Sequence, residues 1–251
     1  MNSPIVSIIT PAYNCSETIG QTFESIVEQT FHDWEWIVID DCSSDGTFNV
    51  LKRFEQVDRR VKILQTSQNS GAAKARNLGI NAASGRYIAF LDSDDTWDVT
   101  KLEKQLSFMI NNEYSFVCSN YKVARNGKKD IIYSPKKNIV TYRSLLKTCS
   151  IGCLTAIYDS KIIGKVLMPI DAPKREDHAM WIDIVKKGYN CYCLKECLAT
   201  YNLRDNTVSS NKWRMFKYQY IMYRQHLHFS RAKSLFYTCV VSLNKIFRKY
   251  R

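Results

Sequence analysis

The sequence predicts an α/β protein with a doubly wound, mostly parallel sheet and a C-terminal helical extension. Three observations predict this class. Short β-branched runs alternate with helix-periodic segments through the first hundred residues. Polar residues cluster directly after the predicted strands, and the composition becomes basic and aromatic over 211–251. Strands that alternate with helices at this spacing favour a parallel sheet covered by helices on both faces.

The first half provides four strands and three helices in alternation. A first helix follows Ser16, which we expect to be its N-cap, because Ile19, Phe23, Ile26 and Val27 then recur on one helical face. A second helix follows the turn at 45–47, and a third covers 72–83. The predicted strands are 5–10, which Pro11 ends, then 36–39, 61–64 and 86–91.

The second half is less regular. We expect a strand at 116–123, a hairpin turn at Asn126-Gly127, an extended segment at 151–158 and a helix at 177–187. Over 213–227, Trp213, Phe216, Tyr220, Tyr223 and Leu227 recur on one face of a helix. The chain therefore divides into a domain of residues 1–210, with halves 1–105 and 106–210, and an extension of residues 211–251.

Charge is distributed unevenly along the 251 residues, whose formal net charge is +12. Residues 1–100 carry 8 basic and 14 acidic side chains, whereas 201–251 carry 11 and 1. A nucleic-acid binder would more often place basic residues on its folded core, so this asymmetry indicates two different tasks. The nine cysteines are scattered, no secretory signal or membrane span is recognisable, and we expect a reducing compartment.

The segment Asp92-Ser93-Asp94-Asp95 is the strongest single chemical signal. Ligands of open α/β sheets bind outside the carboxyl ends of the strands, where this segment is predicted to lie. Carboxylates at such a place can bind Mg²⁺ or Mn²⁺, which proteins hold with one or two carboxylates plus substrate phosphates. Taken alone, the tetrapeptide is weak evidence, because surface turns often contain such a segment and Asp95 then caps the residues that follow.

Four motifs in a fixed order extend this signal. The four motifs are Pro11-Ala12-Tyr13-Asn14, the segment 39–47, the segments 69–71 and 75–77 taken together, and the segment 91–95. A later match covers 175–177. Together they resemble the family-2 glycosyltransferases, which are inverting nucleotide-sugar transferases with the GT-A fold. The resemblance is strongest to non-processive bacterial enzymes that build O-antigen, capsule or teichuronic-acid chains.

The resemblance implies roles for the residues at these positions. It implies that Tyr13 and Asp41 hold the nucleobase, with Pro11 and Asp40 in the same strand-end region. It also implies that Arg76 and Lys74 lie near the base and phosphates, that Asp92 contacts the ribose, and that Asp94 binds a divalent cation with Asp95 as a substitute. For Tyr13 and Asp41, an ordinary strand-end turn with a satisfied carboxylate is the alternative.

For the reaction itself, the resemblance places the general base at Asp177, with Glu176 beside it as an acceptor-binding neighbour or alternate base. The alternative is a helix N-terminus with two acids that complement the helix dipole. Many relatives carry a histidine where this chain has Arg204, and arginine can pair with a diphosphate but cannot bind a cation.

The implied partners are a nucleotide-diphosphate sugar, expected to be UDP-linked, a saccharide acceptor carried on a polyprenyl diphosphate lipid, and an Mn²⁺ or Mg²⁺ cofactor. We expect no nucleic-acid partner. The basic tail is compatible with an anionic membrane surface at the inner face of the cytoplasmic membrane, or with a helical pair packed on the domain. A nucleotidyltransferase and a non-catalytic nucleic-acid-binding module are the alternative functions.

Overall fold

A computed structural model describes residues 4–125, 128–203 and 212–249. These residues form ten strands in one sheet, with helices on both of its faces. The strands are β1 (Val6–Ala12), β2 (Trp34–Asp40), β3 (Val61–Gln65), β4 (Tyr87–Phe90), β5 (Thr96–Trp97), β6 (Phe116–Arg125), β7 (Lys128–Tyr133), β8 (Ile139–Val140), β9 (Ile157–Asp159) and β10 (Cys191–Leu203). The α-helices are α1 (Ile19–Val27), α2 (Thr47–Val57), α3 (Ala72–Ala82), α4 (Lys101–Asn111), α5 (Tyr142–Leu145), α6 (Ser160–Ile163), α7 (Glu176–Lys186), α8 (Lys212–Ile221) and α9 (Arg231–Lys249).

The sheet order is β3-β2-β1-β4-β9-β6-β10-β5, with β7 paired to β6 and β8 paired to β10. The first four strands in this order are parallel, and β10 is parallel to β6. By contrast, β9 is antiparallel to both of its neighbours and β5 is antiparallel to β10. The predicted doubly wound, mostly parallel sheet is therefore confirmed.

Alternate side chains of the central strands supply two separate cores. Ile9 and Ile39 point into the core that contains residues of α3 and α7. Ile8, Trp36 and Val38 point into the opposite core, together with residues of α1, α2 and α4. Burial on both faces explains why these strands are continuous apolar runs, as parallel strands usually are.

Two predictions about the first strand and helix are wrong. Pro11 does not end β1, because the strand continues through Ala12 and Pro11 stays in register with Ile39 of the parallel neighbour. Ser16 is not the N-cap of α1, since Thr18 occupies that position and makes no side-chain capping bond. The backbone N–H of Ser16 instead donates to the Asp45 carboxylate at 3.0 Å.

The expected extended segment at 151–158 is only partly confirmed. A 3-10 helix over Cys153–Thr155 interrupts it, and β9 begins at Ile157. The Thr155 hydroxyl stabilises the 3-10 turn by donating to the carbonyl of Gly152 at 2.7 Å. The predicted hairpin turn at 126–127 lies outside the described residues, although β6 and β7 on either side of it pair antiparallel.

The single helical face predicted over 213–227 is also wrong. After α8, the chain makes a π-helical turn over Met222–His226, and its extra residue per turn rotates the later side chains away from the expected face. Trp213 is consequently 84% exposed, whereas Tyr223 is fully buried. In the described parts of the chain, no helix is both long and apolar enough to cross a membrane.

Candidate active site

The carboxyl ends of β1, β2 and β4 meet at one edge of the sheet, because these parallel strands are neighbours. Tyr13 follows β1 and is 49% exposed, so its ring is accessible from solvent. Asp40 ends β2 and Asp41 follows it, and both are buried. Asp92 follows β4. The structure therefore brings together predicted donor-binding residues from three separate loops.

The loop after β1 is fastened to the loop after β2. The backbone N–H of Asn14 donates to the Ser43 hydroxyl at 3.0 Å. The Asp45 carboxylate accepts from the backbone N–H of Ser16 at 3.0 Å and from the Thr47 hydroxyl at 2.6 Å. Burial alone would raise the pKa of Asp45, but the bonds from Thr47 and Ser16 lower it. Hydrogen bonds therefore hold the loop after β1 against the loop after β2.

Asp41 holds the segment that leads into α3. It accepts four hydrogen bonds: from the Thr66 hydroxyl at 2.8 Å, from the Ser70 backbone at 2.9 Å and hydroxyl at 3.1 Å, and from the Gly71 backbone at 2.7 Å. Burial would raise the Asp41 pKa, but these donors lower it, so the group stays ionised. Because three of the four bonds reach Oδ1, Oδ2 retains capacity to accept one more donor.

Asp40 precedes Asp41 at the end of β2 and is 0% exposed. Its Oδ2 accepts from the Gln65 side-chain amide at 2.9 Å. Its Oδ1 is buried and has no hydrogen-bond partner among the residues that the structure describes. Buried carboxylate oxygens without a hydrogen-bond partner are uncommon in folded proteins. This oxygen of Asp40 lies at the strand end directly before Asp41.

Two glycines determine where α3 lies. Gly71 precedes the helix with φ of +87°, a conformation that glycine adopts without strain. Gly79 faces the sheet so closely that a Cβ there would lie 2.7 Å from side-chain atoms of both Ile9 and Ile39. This close contact brings the helix, and with it Arg76, to the acidic edge of the sheet.

Arg76 forms an ion pair with Asp92 and is only 7% exposed. The Arg76 pKa is above its ordinary value: burial tends to lower it, but nearby negative charge, chiefly that of Asp92, outweighs this effect. The other predicted cation, Lys74, is exposed. Two positions along a helix correspond to nearly opposite faces, so the structure does not bring Lys74 to the Arg76–Asp92 pair.

The loop after β4 concentrates negative charge around Asp95, which is 1% exposed. Its Oδ1 accepts from the Asn202 backbone N–H at 3.0 Å, and the Asn202 side chain donates to the Asp94 carbonyl at 2.8 Å. Burial raises the Asp95 pKa well above its usual range, and the charges of Asp92 and Asp94 raise it further. No sequence motif identified Asn202, although it contacts both Asp94 and Asp95.

The donor set at this loop fits a divalent cation that a diphosphate helps to bind. Asp95 Oδ2 is buried without a hydrogen-bond partner among the described residues, beside two other carboxylates. Within 4–125, 128–203 and 212–249, no three His, Cys, Asp or Glu side chains form a complete ligand group. One or two carboxylates suffice for Mg²⁺ or Mn²⁺ when substrate phosphates provide the remaining ligands.

Glu176 and Asp177 form the first turn of α7. Burial raises the Glu176 pKa, and the Asp177 charge raises it further, while the charge of Arg76 opposes both effects. Asp177 accepts the backbone N–H of His178 at 2.7 Å, a bond that holds its carboxylate at the helix start. Arg76 is thus electrostatically coupled to Asp92 from the first half of the chain and to Glu176 from the second.

His178 anchors the start of α7 from inside the protein. Its Nε2 lies 2.8 Å from the carbonyl of Leu145, and its Nδ1 lies 3.4 Å from the Gln219 amide. Burial and the charge of Arg175 lower the pKa of His178 to about 4, so the ring is neutral near pH 7. A neutral, fully buried ring in this place positions the helix and is no candidate general base.

Cys153 was not identified from the sequence, yet it lies among the acidic residues of the site. Burial raises the pKa of its thiol well above the usual range, and four charged neighbours influence it: Arg76, Asp92, Asp95 and Asp177. Both halves of the chain therefore meet around this side chain. No signal in the sequence marks Cys153, because it is a single cysteine in a segment without a motif.

Arg204, predicted to pair with diphosphate, lies outside the described residues.

Two solved structures have the same architecture. A fragment of S. aureus TarS, residues 1–349, matches over 93% of this chain and 70% of that one, with a TM-score of 0.70 at 20% identity. The mannosyltransferase PcManGT from Pyrobaculum calidifontis, solved with GDP-Man and Mn²⁺, matches over 96% and 70%, with a TM-score of 0.70 at 16% identity. Full-length TarS is longer, and this chain spans 41% of it. The fold is the GT-A fold.

The sequence relatives are closer. The model of the family described as Glycosyl transferase family 2 matches residues 7–164. A Bacillus subtilis protein named as a teichuronic acid biosynthesis glycosyltransferase, TuaG, is 43% identical and covers 91% of this chain and 92% of its own. The Escherichia coli UDP-Glc:alpha-D-GlcNAc-diphosphoundecaprenol beta-1,3-glucosyltransferase WfgD is 41% identical over 88% of this chain and 85% of its own. The chain belongs to glycosyl transferase family 2.

Proposed function

We propose that this protein is an inverting glycosyltransferase that moves one hexosyl or N-acetylhexosaminyl unit from a nucleotide-diphosphate sugar to a saccharide acceptor. The observation that carries the proposal is the acidic strand-end edge, where the nearly buried Arg76 pairs with Asp92 and Asp95 Oδ2 is buried without a partner among the described residues. UDP is the expected nucleotide. WfgD is named as a UDP-Glc enzyme, and TarS was solved with UDP and with UDP-GlcNAc.

The strand-end residues would bind the donor. The exposed Tyr13 ring would stack on the base, while Asp41 would accept a base N–H with the remaining capacity of its Oδ2. Asp92 would accept from the ribose hydroxyls, and its ion pair with Arg76 holds that carboxylate in place. Pro11 and Asp40 would shape this pocket from β1 and β2, and Lys74 and Arg204 would approach the phosphates.

Asp94 and Asp95 would hold the divalent cation. When bound, Mn²⁺ or Mg²⁺ supplies positive charge that stabilises the leaving diphosphate. Asp95 is suited to this role because its buried, repelled carboxyl gains most from a nearby positive charge. Asn202 holds Asp95 Oδ1 from β10 and leaves Oδ2 without a protein partner in the described structure.

Asp177 would act as general base. As the acceptor oxygen attacks the anomeric carbon, the Asp177 carboxylate takes the hydroxyl proton and a new C–O bond forms. The bond from the anomeric carbon to the diphosphate oxygen breaks, and its electron pair leaves with the nucleotide diphosphate. A single displacement of this kind inverts the anomeric configuration. Glu176, whose pKa is raised by burial, would bind the acceptor beside it.

We further propose that the acceptor is carried on a polyprenyl diphosphate during bacterial surface-polysaccharide synthesis, at the cytoplasmic side of the membrane. The names of WfgD and TuaG support this proposal, because they refer to a diphosphoundecaprenol acceptor and to teichuronic acid respectively. The family assignment argues against the two alternatives, a nucleotidyltransferase and a nucleic-acid-binding module.

A donor panel tests the proposed function. Purified protein is incubated with Mn²⁺, a synthetic GlcNAc-diphosphate lipid and each of several UDP- and GDP-sugars, and the released nucleotide is measured. We expect UDP release from at least one UDP-sugar, loss of release in EDTA, and a product whose anomeric configuration is opposite to that of the donor. A product with retained configuration, or release unaffected by EDTA, would contradict the proposed mechanism. Failure with every donor and acceptor tested would count against the function itself.

A further inference from the structure

Helix α9 carries apolar residues both on the face that packs on the protein and on the face exposed to solvent. Its buried face carries Ser234 and Thr238, both 0% exposed. Their hydroxyls are satisfied within the chain: that of Thr238 donates to the Ser234 carbonyl at 2.7 Å, and that of Ser234 donates to the Phe229 carbonyl at 3.4 Å. Contact with the rest of the protein comes from Tyr237, which packs on Tyr223 at 5.8 Å between ring centroids. Val241 is also buried in this core, so α9 is attached to the protein through Tyr237 and Val241.

A second group of apolar residues on α9 faces solvent. Leu235, Phe236 and Leu243 are 50%, 60% and 53% exposed, and Cys239 is also exposed. At 100° per residue these four positions fall within one arc of about 100°, opposite to Ser234. We call these four residues the outer stripe. A continuous apolar stripe of this kind on a soluble surface usually marks an interaction site.

The charges around the outer stripe indicate what covers it. Arg231 and Lys233 flank it at the start of α9, and both are exposed. Segment 212–249 contains nine Lys and Arg residues and no Asp or Glu. A second copy of this chain that docked through the same face would bring like charges together. An anionic surface with an apolar interior complements both the charge and the stripe.

A pocket lined by cations lies beside the end of α9. Asn244 donates to the carbonyl of Lys147 at 2.9 Å, and both residues line the pocket together with Lys136 and Lys137. Ser144 adds a hydroxyl to the lining. The lining also includes the apolar Ile139 and Val140, while the three lysines are exposed and carry ammonium groups that can bind a phosphate headgroup.

We propose that the outer stripe of α9 inserts into a bilayer that contains anionic phospholipid, and that Lys136, Lys137 and Lys147 bind lipid phosphates beside it. This inference extends the proposed function, whose acceptor is carried in a membrane. The geometry is that of an interfacial helix, in which an apolar face lies among the acyl chains and cations flank it at headgroup level. The structure thereby favours a membrane role for the tail over a helical pair that merely packs on the domain.

Vesicle flotation of the full chain tests the proposal without donor or acceptor present. We expect the protein to float with vesicles of phosphatidylglycerol and phosphatidylcholine, and to bind pure phosphatidylcholine at least about tenfold more weakly. The triple variant L235S/F236S/L243S should lose at least about tenfold in partitioning to the anionic vesicles. The matched control V57S/I110S/I132S changes three other exposed apolar residues and should partition like the wild type. A second variant, K136Q/K137Q/K147Q, should lose at least about tenfold while retaining the outer stripe.

Several outcomes would overturn the proposal. Wild-type protein that does not prefer anionic vesicles excludes it, as does a serine variant that floats as well as the wild type. A dimer of the wild type in sedimentation equilibrium that the serine variant abolishes would assign the stripe to a second copy instead. Thermal unfolding of each variant establishes that it is folded. Transfer to a water-soluble acceptor should be the same in the serine variant and the wild type, so failure of membrane binding is distinguishable from failure of the proposed function.

Discussion

At the scale of single residues, Arg76 connects the two halves of the candidate site. It is nearly buried, it pairs with Asp92, and its charge acts on Glu176. Its Nε is buried without a hydrogen-bond partner in the described structure, so its guanidinium retains one unused donor inside the site. A buried cation among several carboxylates favours their charged forms and offsets the repulsion between them.

Replacing Arg76 should therefore affect both folding and donor binding. In Arg76→Met the side-chain volume is largely kept, but Asp92 loses its partner, and we expect a loss of about 1–3 kcal/mol in the free energy of unfolding. Urea denaturation measures that loss, and calorimetry with UDP should show weaker binding. The control Arg143→Met removes an exposed arginine away from the site. Unchanged UDP affinity in Arg76→Met would show that the residue only supports the fold.

At the scale of elements, the position of α3 depends on the absence of a side chain at Gly79. The helix packs against β1 and β2, and its Arg76 reaches the site only at this helix–sheet distance. Gly20 in α1 is a matched control, because a Cβ there would meet nothing within 4 Å.

We expect Gly79→Ala to be destabilising by about 1–3 kcal/mol, since the new methyl group would overlap Ile9 and Ile39. Gly20→Ala should be neutral or stabilising by up to about 1 kcal/mol, because alanine favours the helix. Urea denaturation compares the two variants, and UDP affinity should fall in Gly79→Ala alone. Equal stability of both variants would contradict the close packing of α3.

A second element-scale feature connects the π-helical turn to α7. His226 is 3.0 Å from Asp171, in the segment before α7, and 2.9 Å from Asp183 on α7 itself. The hydrogen bond with Asp183 is the main cause that raises the His226 pKa above its ordinary value of 6.5, outweighing burial. The protonated ring therefore bridges two carboxylates and holds α7 against the C-terminal segment.

Because the His226 pKa is raised in the folded protein, the free energy of unfolding that His226 contributes depends on pH. The stabilisation from His226 is fully present below the unfolded-state pKa near 6.5 and is lost as pH rises through the higher folded-state value. The stability difference between wild type and His226→Gln should accordingly shrink as pH increases from about 6 to about 9. Urea midpoints at several pH values measure it. A difference that grows with pH would contradict the protonated bridge.

At the scale of the whole molecule, the sequence predicted the sheet and its acidic edge better than it predicted the tail. Strands such as β2 are buried on both faces. Their continuous apolar runs, and the polar residues that follow them, can therefore be recognised from the sequence alone. Cys153 and Asn202 were missed because their roles depend on contacts with distant segments. The helical face predicted over 213–227 is wrong because a π-helical turn changes the number of residues per turn. No local sequence pattern indicated that turn. Only the structure shows that Leu235, Cys239 and Leu243 of α9 face outward.

The net charge of +12 combines an acidic region and a basic region of the chain. The acidic first hundred residues form the edge where Asp92, Asp94 and Asp95 lie, and the basic excess lies in residues 101–251. The first region suits a cation with a nucleotide diphosphate, and the second suits an anionic lipid surface. Net charge alone would have suggested nucleic acid.

The central claim is that Asp177 removes the acceptor proton in a transfer from a nucleotide sugar. Its most direct test is kcat of Asp177→Asn with the donor identified by the panel, together with UDP affinity from calorimetry. We predict that kcat falls about a thousandfold while UDP affinity stays within about twofold of wild type, because the base acts on the acceptor and not on the nucleotide. Asp130→Asn, an exposed carboxylate on β7, is the control and should be fully active. Full turnover by Asp177→Asn would contradict the account.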